Sequence, residues 1–167
     1  MAKAPVQTGE RARPDPLKRR IVSEIEADPL DFTSFNPGQA RFVEAVKRTE
    51  PGTLNLVFWL KGNGLGGTFS TVSVWSAIMF GSDNPRFCGW PFGADWPFLK
   101  SMRVVSTVEG LSDKGPIQRA MRDLFPIGQW KQSRGAGKPY FSEGETDTGW
   151  DWDVKTNDQT ALQAAGG

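Results

Sequence analysis

The chain has 167 residues, enough for one domain with its own core, and 38% are hydrophobic, seven Trp and eleven Phe among them. A net charge of +1 excludes an electrostatic preference of the whole molecule, so a nucleic-acid surface would have to be a local patch. With no histidine and one cysteine, Cys88, an internal disulfide, a Cys/His zinc site, a Ser-His-Asp triad and a Cys-His dyad are excluded. The single thiol fits a reducing compartment, and Mg²⁺ is the natural metal for the hydroxyls, carboxylates and phosphates that remain.

Residues 1–20 read as a flexible basic arm. Pro5, Pro14 and Pro16 argue against a helix, and Lys3, Arg11, Arg13, Lys18, Arg19 and Arg20 outnumber Glu10 and Asp15. The arm is either a solvated tail or a non-specific contact to a phosphate backbone. It has no apolar core and is not a signal peptide. The most apolar stretch, residues 69–80, is too short to span a bilayer, so a soluble, intracellular protein is expected.

Residues 21–167 read as one α/β domain. Residues 21–28 fit a short helix and 29–37 a loop. Asn36 as N-cap and Pro37 as first residue open a helix over 39–47, with Phe42, Val43 and Val46 on its buried stripe. A turn at 50–52 leads to an apolar run, 53–60, the pattern of a strand covered on both faces in a parallel sheet. After a glycine-rich loop, residues 68–80 fit a buried helix. Residues 81–97 form an aromatic loop, 102–108 a second buried strand and 111–125 an amphipathic helix started near Ser112 and Asp113. A basic loop, 130–138, precedes a hairpin over 140–155 that turns at Thr148-Gly149 and sets Trp150, Trp152 and Val154 on one face. The tail ends in Ala164-Ala165-Gly166-Gly167, which reads as cut off.

The loop Lys61-Gly62-Asn63-Gly64-Leu65-Gly66-Gly67-Thr68 carries the clearest chemistry. Four glycines in six residues allow positive φ and let amide N–H groups approach an anion with no Cβ in the way. Thr68 is placed to start the following helix, where its hydroxyl can ligate a Mg²⁺ that bridges phosphates. Against the usual G-x-x-x-x-G-K-[ST] pattern, Gly67 stands where the lysine belongs and Lys61 where the first glycine belongs. Either Lys61 supplies the ammonium from the other side of the loop, or Gly67 marks a dead site.

In this setting the chain resembles the large subunit of the terminases, the ATP-driven motors that package double-stranded DNA into the capsids of tailed bacteriophages. Five pieces occur in the family's order. Phe35-Asn36-Pro37-Gly38-Gln39 is similar to the stretch upstream of the Walker A loop, and 57–68 to the strand and loop themselves. Arg103-Val104-Val105-Ser106 is similar to the second core strand, and Leu124-Phe125-Pro126 with Trp130-Lys131 to the segment after the next helix. Thr148-Gly149-Trp150 and Thr156-Asn157-Asp158-Gln159 are similar to the hairpin ahead of the Walker B strand.

The resemblance spans about residues 30–160. It implies a P-loop NTPase-like, mostly parallel sheet flanked by helices, incomplete at the C-terminus. It implies ATP and Mg²⁺ as cofactors, with Gln39 on adenine and Lys61, Gly62, Asn63, Gly64, Leu65, Gly66, Gly67 and Thr68 on the phosphates. Some terminase large subunits carry the loop lysine at the first position, which favours Lys61. The implied partners are double-stranded DNA, the portal protein, the terminase small subunit and further copies in the motor, in the host cytoplasm and with no membrane. The family's Walker B strand, its coupling motif and its nuclease domain are absent from the sequence. Glu109 follows the 102–108 strand, which corresponds to the second core strand and not to Walker B. Nucleotide binding without useful hydrolysis by this chain alone is therefore expected. The alternative is a non-enzymatic binding module with a degenerate loop.

Other residues invite simpler readings. Asp151 and Asp153 share one strand face and read as solvated, more readily than as a metal or nuclease site with Asp147 and Asp158. The aromatic segment 87–98 reads as a loop packed over the sheet edge, with base stacking as the alternative. Lys131, Arg134 and Lys138 read as surface charge, with DNA backbone as the alternative.

Overall fold

Three Asx-Pro pairs set the helix starts in the first third of the chain. Asp15 precedes α1 (Pro16–Ala27), Asp28 precedes a 3-10 turn (Pro29–Phe32) and Asn36 precedes α2 (Pro37–Lys47). Each Asx side chain accepts a backbone N–H two or three residues on, and each proline takes the first helical position, where a missing N–H costs nothing. The arm expected over 1–20 is thus corrected at its end. Pro16 starts a helix, because a proline that blocks a helix interior suits its first turn.

The computed structural model describes residues 15–50, 52, 56–58, 60, 66–81, 99–134, 137 and 141–156. The later elements are α3 (Gly67–Phe80), β1 (Ser101–Ser106), α4 (Val108–Leu111), α5 (Pro116–Leu124), β2 (Trp130–Ser133), β3 (Glu143–Thr146) and β4 (Asp151–Thr156). Residues 1–14, the 82–98 stretch with the expected aromatic surface, Lys138, and the 157–167 tail with Asp158 lie outside the described residues.

The sheet runs β1-β4-β3-β2. β1 pairs parallel with β4, whereas β4–β3 and β3–β2 are antiparallel. The class is mixed α/β, and the expectation of a mostly parallel sheet is corrected. The connections from β2 to β3 and from β3 to β4 are too short for the crossover that parallel neighbours need. The crossover from β1 to β4 is long and carries α4 and α5, so among the described strands that pair alone is parallel.

Four other expectations change. β1 ends at Ser106 and is half-buried in alternation, with Arg103 and Val105 exposed, so it is not covered on both faces. The helix expected over 111–125 begins only at Pro116, and a separate short helix, α4, ends at Leu111. Pro116 disfavours a helical Gly115, and a Cβ at Gly115 would lie 2.5 Å from the Glu109 and Gly110 carbonyl oxygens. The basic loop begins as a strand, β2, that pairs with β3. For the strand expected over 53–60, residues 56–58 and 60 are described. They form no strand, and Phe58 and Leu60 are 84% and 97% exposed. Val57, 39% exposed, lies beside Phe42 and Ala45 of α2, whereas Phe58 and Leu60 stay open to solvent.

The core lies between one sheet face and α3, α5 and the 3-10 turn. α3 is apolar on all sides, and nine of its residues are buried, as a helix inside a core must be. Phe125 anchors an aromatic cluster, with ring centroids 5.1 Å from Trp130, 5.2 Å from Phe80 and 6.5 Å from Trp75. Trp150, Trp152 and Val154 face this core, as the hairpin pattern predicts. Polar ties fix the layers. Ser76 donates to the Leu124 carbonyl at 2.7 Å, Gln118 to the Phe141 carbonyl at 3.0 Å, and Thr148 to the Met79 carbonyl. No helix among the described residues is long and apolar enough to cross a membrane.

Candidate functional site

The site begins with the cap of α2. The Asn36 side chain accepts the Gln39 N–H at 2.9 Å, and the Gln39 side-chain oxygen accepts the Asn36 N–H at 2.8 Å. This reciprocal box leaves the Gln39 amide nitrogen, which donates to the Gly66 carbonyl at 3.2 Å. Gln39 is 7% exposed, so a buried amide ties the start of α2 to the residue before α3. Gly66 has φ 69° and ψ 26°, the left-handed region, and a Cβ there would lie 2.5 Å from the Gln39 amide nitrogen. Its carbonyl also accepts the Ser70 N–H at 3.0 Å and the Ser70 hydroxyl at 3.1 Å.

α3 therefore starts abruptly. Among the described residues no side chain caps it. The N–H groups of Gly67, Thr68 and Phe69 lack an intrahelical acceptor, as at any helix start, and the dipole of a 14-residue helix adds positive potential there. Gly67 and Thr68 line a cavity of about 200 Å³ with Thr71, Val72 and Trp75 of α3, Val104 and Val105 of β1, and Ile117 of α5. That is below the ~300 Å³ at which small-molecule pockets begin, too small for a whole nucleotide, and its polar edge is Gly67, Thr68 and Thr71. It lies toward the C-terminal end of β1, where ligands gather on open α/β sheets.

Of the residues singled out in sequence, the fold brings Gln39, Gly66, Gly67 and Thr68 together. Lys61, Gly62, Asn63, Gly64 and Leu65 lie outside the described residues. Both ends of the Gln39 amide are engaged by backbone groups, which makes it a brace for the loop. Thr68 is half-buried at the cavity and offers one hydroxyl to a Mg²⁺. Among the described residues no three acids or thiols converge to hold a metal, so a bound Mg²⁺ would depend on the nucleotide's own phosphates. Glu109 is exposed on α4. Sequence reasoning missed Ser70 and the walls supplied by Val104, Val105 and Ile117. Ser70 had a signal, its spacing four residues after Gly66, whereas the walls depend on the crossover.

A larger, shallow cavity of about 510 Å³ lies on the opposite sheet face. Acids outnumber bases in its lining, and part of the charge is paired. Arg103 donates to both Asp153 oxygens, at 2.9 and 3.1 Å from Nε, and the Lys155 ammonium is 3.6 Å from Asp153. The hydrogen bond to Asp153, and then its charge, push the Arg103 pKa up. Ser133 donates to Glu143 at 3.1 Å. This is the solvated strand face expected for Asp151 and Asp153. Arg134 is likewise engaged, 2.7 Å from Asp113 and stacked over the Phe141 ring.

No protein-family model, curated protein or solved structure matches the chain.

Proposed function

We propose that this chain is the ATP-binding portion of a terminase-like, P-loop NTPase motor that packages double-stranded DNA. The observation that carries the reading is the start of α3. A left-handed glycine at the end of a four-glycine loop delivers uncapped N–H groups and Thr68 to a small cavity at the C-terminal end of β1. In this reading the Gly66–Thr68 backbone holds the terminal phosphates, Lys61 supplies the ammonium, and Thr68 adds a hydroxyl to the Mg²⁺ that ATP brings. Gln39 keeps the loop's last residue in place. Mg²⁺ supplies charge neutralisation of the phosphates. The Walker B acids needed to position an attacking water are absent from the sequence, so the chain binds and does not turn over. In the complete motor the implied partners are DNA, the portal protein, a small subunit and further copies, in the host cytoplasm.

The experiment is a titration of a fluorescent ATP analogue with Mg²⁺ against the wild-type chain and Lys61→Ala. The reading expects saturable binding that the variant loses, and no phosphate release by either protein. Binding by neither protein would replace it with the degenerate, non-enzymatic module.

A further inference from the structure

α1 is a helix with no buried residue. Leu17, Ile21, Val22 and Ile25 are 63%, 43%, 50% and 38% exposed, although their spacing sets them along one stripe. Ile127, whose N–H donates to the Glu26 carbonyl at 3.1 Å, adds a further exposed apolar side chain beside the last turn. A 12-residue helix is marginal in water without packing, and the main neighbour of α1 is the 3-10 turn that follows it. The stripe is built to be covered.

The charges beside the stripe say by what. Helical geometry puts Arg20 and Glu24 along one flank, Arg19 and Glu26 along the other, and Lys18 within the stripe, between Val22 and Ile25. The basic residues come first and the acidic ones last, opposite to what the helix dipole favours, with no acid in the first turn and no base in the last. The Arg20–Glu24 contact within the helix also runs in the weaker order, base before acid. A second α1 laid antiparallel against the stripe meets like flank with like flank and reversed direction. Arg20 then faces Glu24 of the other copy, and Arg19 faces its Glu26. A parallel pair would set base against base and acid against acid. An anionic membrane surface would meet Glu24 and Glu26 as well as Lys18, Arg19 and Arg20, so vesicle binding is scored beside self-association.

We infer that α1 is the contact of a two-fold, antiparallel pair between copies of this chain, held by Leu17, Ile21, Val22 and Ile25 and oriented by Arg19, Arg20, Glu24 and Glu26. The pairing closes at two copies. An 18 Å helix seam, from ~1.5 Å of rise per residue, is smaller than standard stable interfaces, so the pair is weak and concentration-dependent.

Sedimentation velocity on the 167-residue chain tests it, over a concentration series reaching about 1 mM. The wild type should move from monomer to dimer. The double variants Arg19→Glu/Arg20→Glu and Glu24→Arg/Glu26→Arg should each weaken the dimer at least about tenfold. Both reversals suit the helix dipole but also replace the Arg20–Glu24 pair with like charges, so circular dichroism must show that the helix is kept before a loss of pairing is scored. Mixing the two variants should restore a dimer as strong as the wild type. A wild type that stays monomeric throughout overturns the inference, including one that binds anionic vesicles instead. So does a dimer that survives either reversal, or a mixture that does not recover.

Discussion

Replacing Gly66 by alanine tests the brace between α2 and the glycine loop. At φ 69° an L-residue carries about 1–2 kcal/mol of left-handed strain. The new methyl would also lie 2.5 Å from the Gln39 amide nitrogen. That amide belongs to a flexible side chain, but moving it breaks two hydrogen bonds, at 2.8 Å and 3.2 Å, each contributing about 0.5–1.5 kcal/mol. Gly66→Ala should therefore cost about 3 kcal/mol in total, a large part of the ~5–15 kcal/mol that holds a domain. Urea unfolding followed by tryptophan fluorescence reads this as a midpoint lowered by about 1.5 M, at a slope of ~2 kcal/mol/M. The mechanism predicts a coupling. In a Gln39→Ala background the obstruction is gone, and Gly66→Ala should cost only the ~1–2 kcal/mol of strain. A single-variant cost below about 0.5 kcal/mol, or fully additive costs, would refute the reasoning.

Asn36→Ala removes the cap of α2 and half of the box that holds Gln39; a loss of about 1–2 kcal/mol is expected in the same assay. Gly144→Ala drives a methyl against the Lys131 carbonyl and the Trp152 indole, and should destabilise by about 1–3 kcal/mol while disturbing the near-UV signal of Trp152. Arg103→Ala removes an exposed pair, so its effect should be small and shrink further in high salt. The raised pKa of Arg103 fixes the sign of its pH dependence. Its contribution is present below the ordinary arginine value and is lost only as pH rises through the higher folded value. The difference between wild type and variant should thus show no arginine titration in neutral buffers. A step near neutrality would contradict the assignment.

How much of this was legible follows from how local each signal is. Asn36-Pro37 announced α2 because a cap and its proline are adjacent. The buried helix from Gly67 and the Trp150, Trp152, Val154 face were legible because periodicity is local too. Pro16 misled because proline's meaning depends on where in a helix it falls. The Gly115 break hid inside a continuous amphipathic pattern. β2 is four residues, too short for alternation to stand out against Lys131 and Arg134. The mixed sheet order and the Gln39–Gly66 bond join residues far apart in sequence, and no window reports such a pairing. The glycine loop was found from composition, whereas the cavity at Gly67 and Thr68 needs walls from β1 and α5 as well as α3.

The most direct test of the phosphate site is a backbone-amide nuclear magnetic resonance titration with MgATP. The account predicts that the amides of Gly67 and Thr68 shift and saturate in the wild-type chain and stay in place in Lys61→Ala. Unmoved Gly67 and Thr68 amides at saturating MgATP, or shifts that persist in the variant, would contradict it.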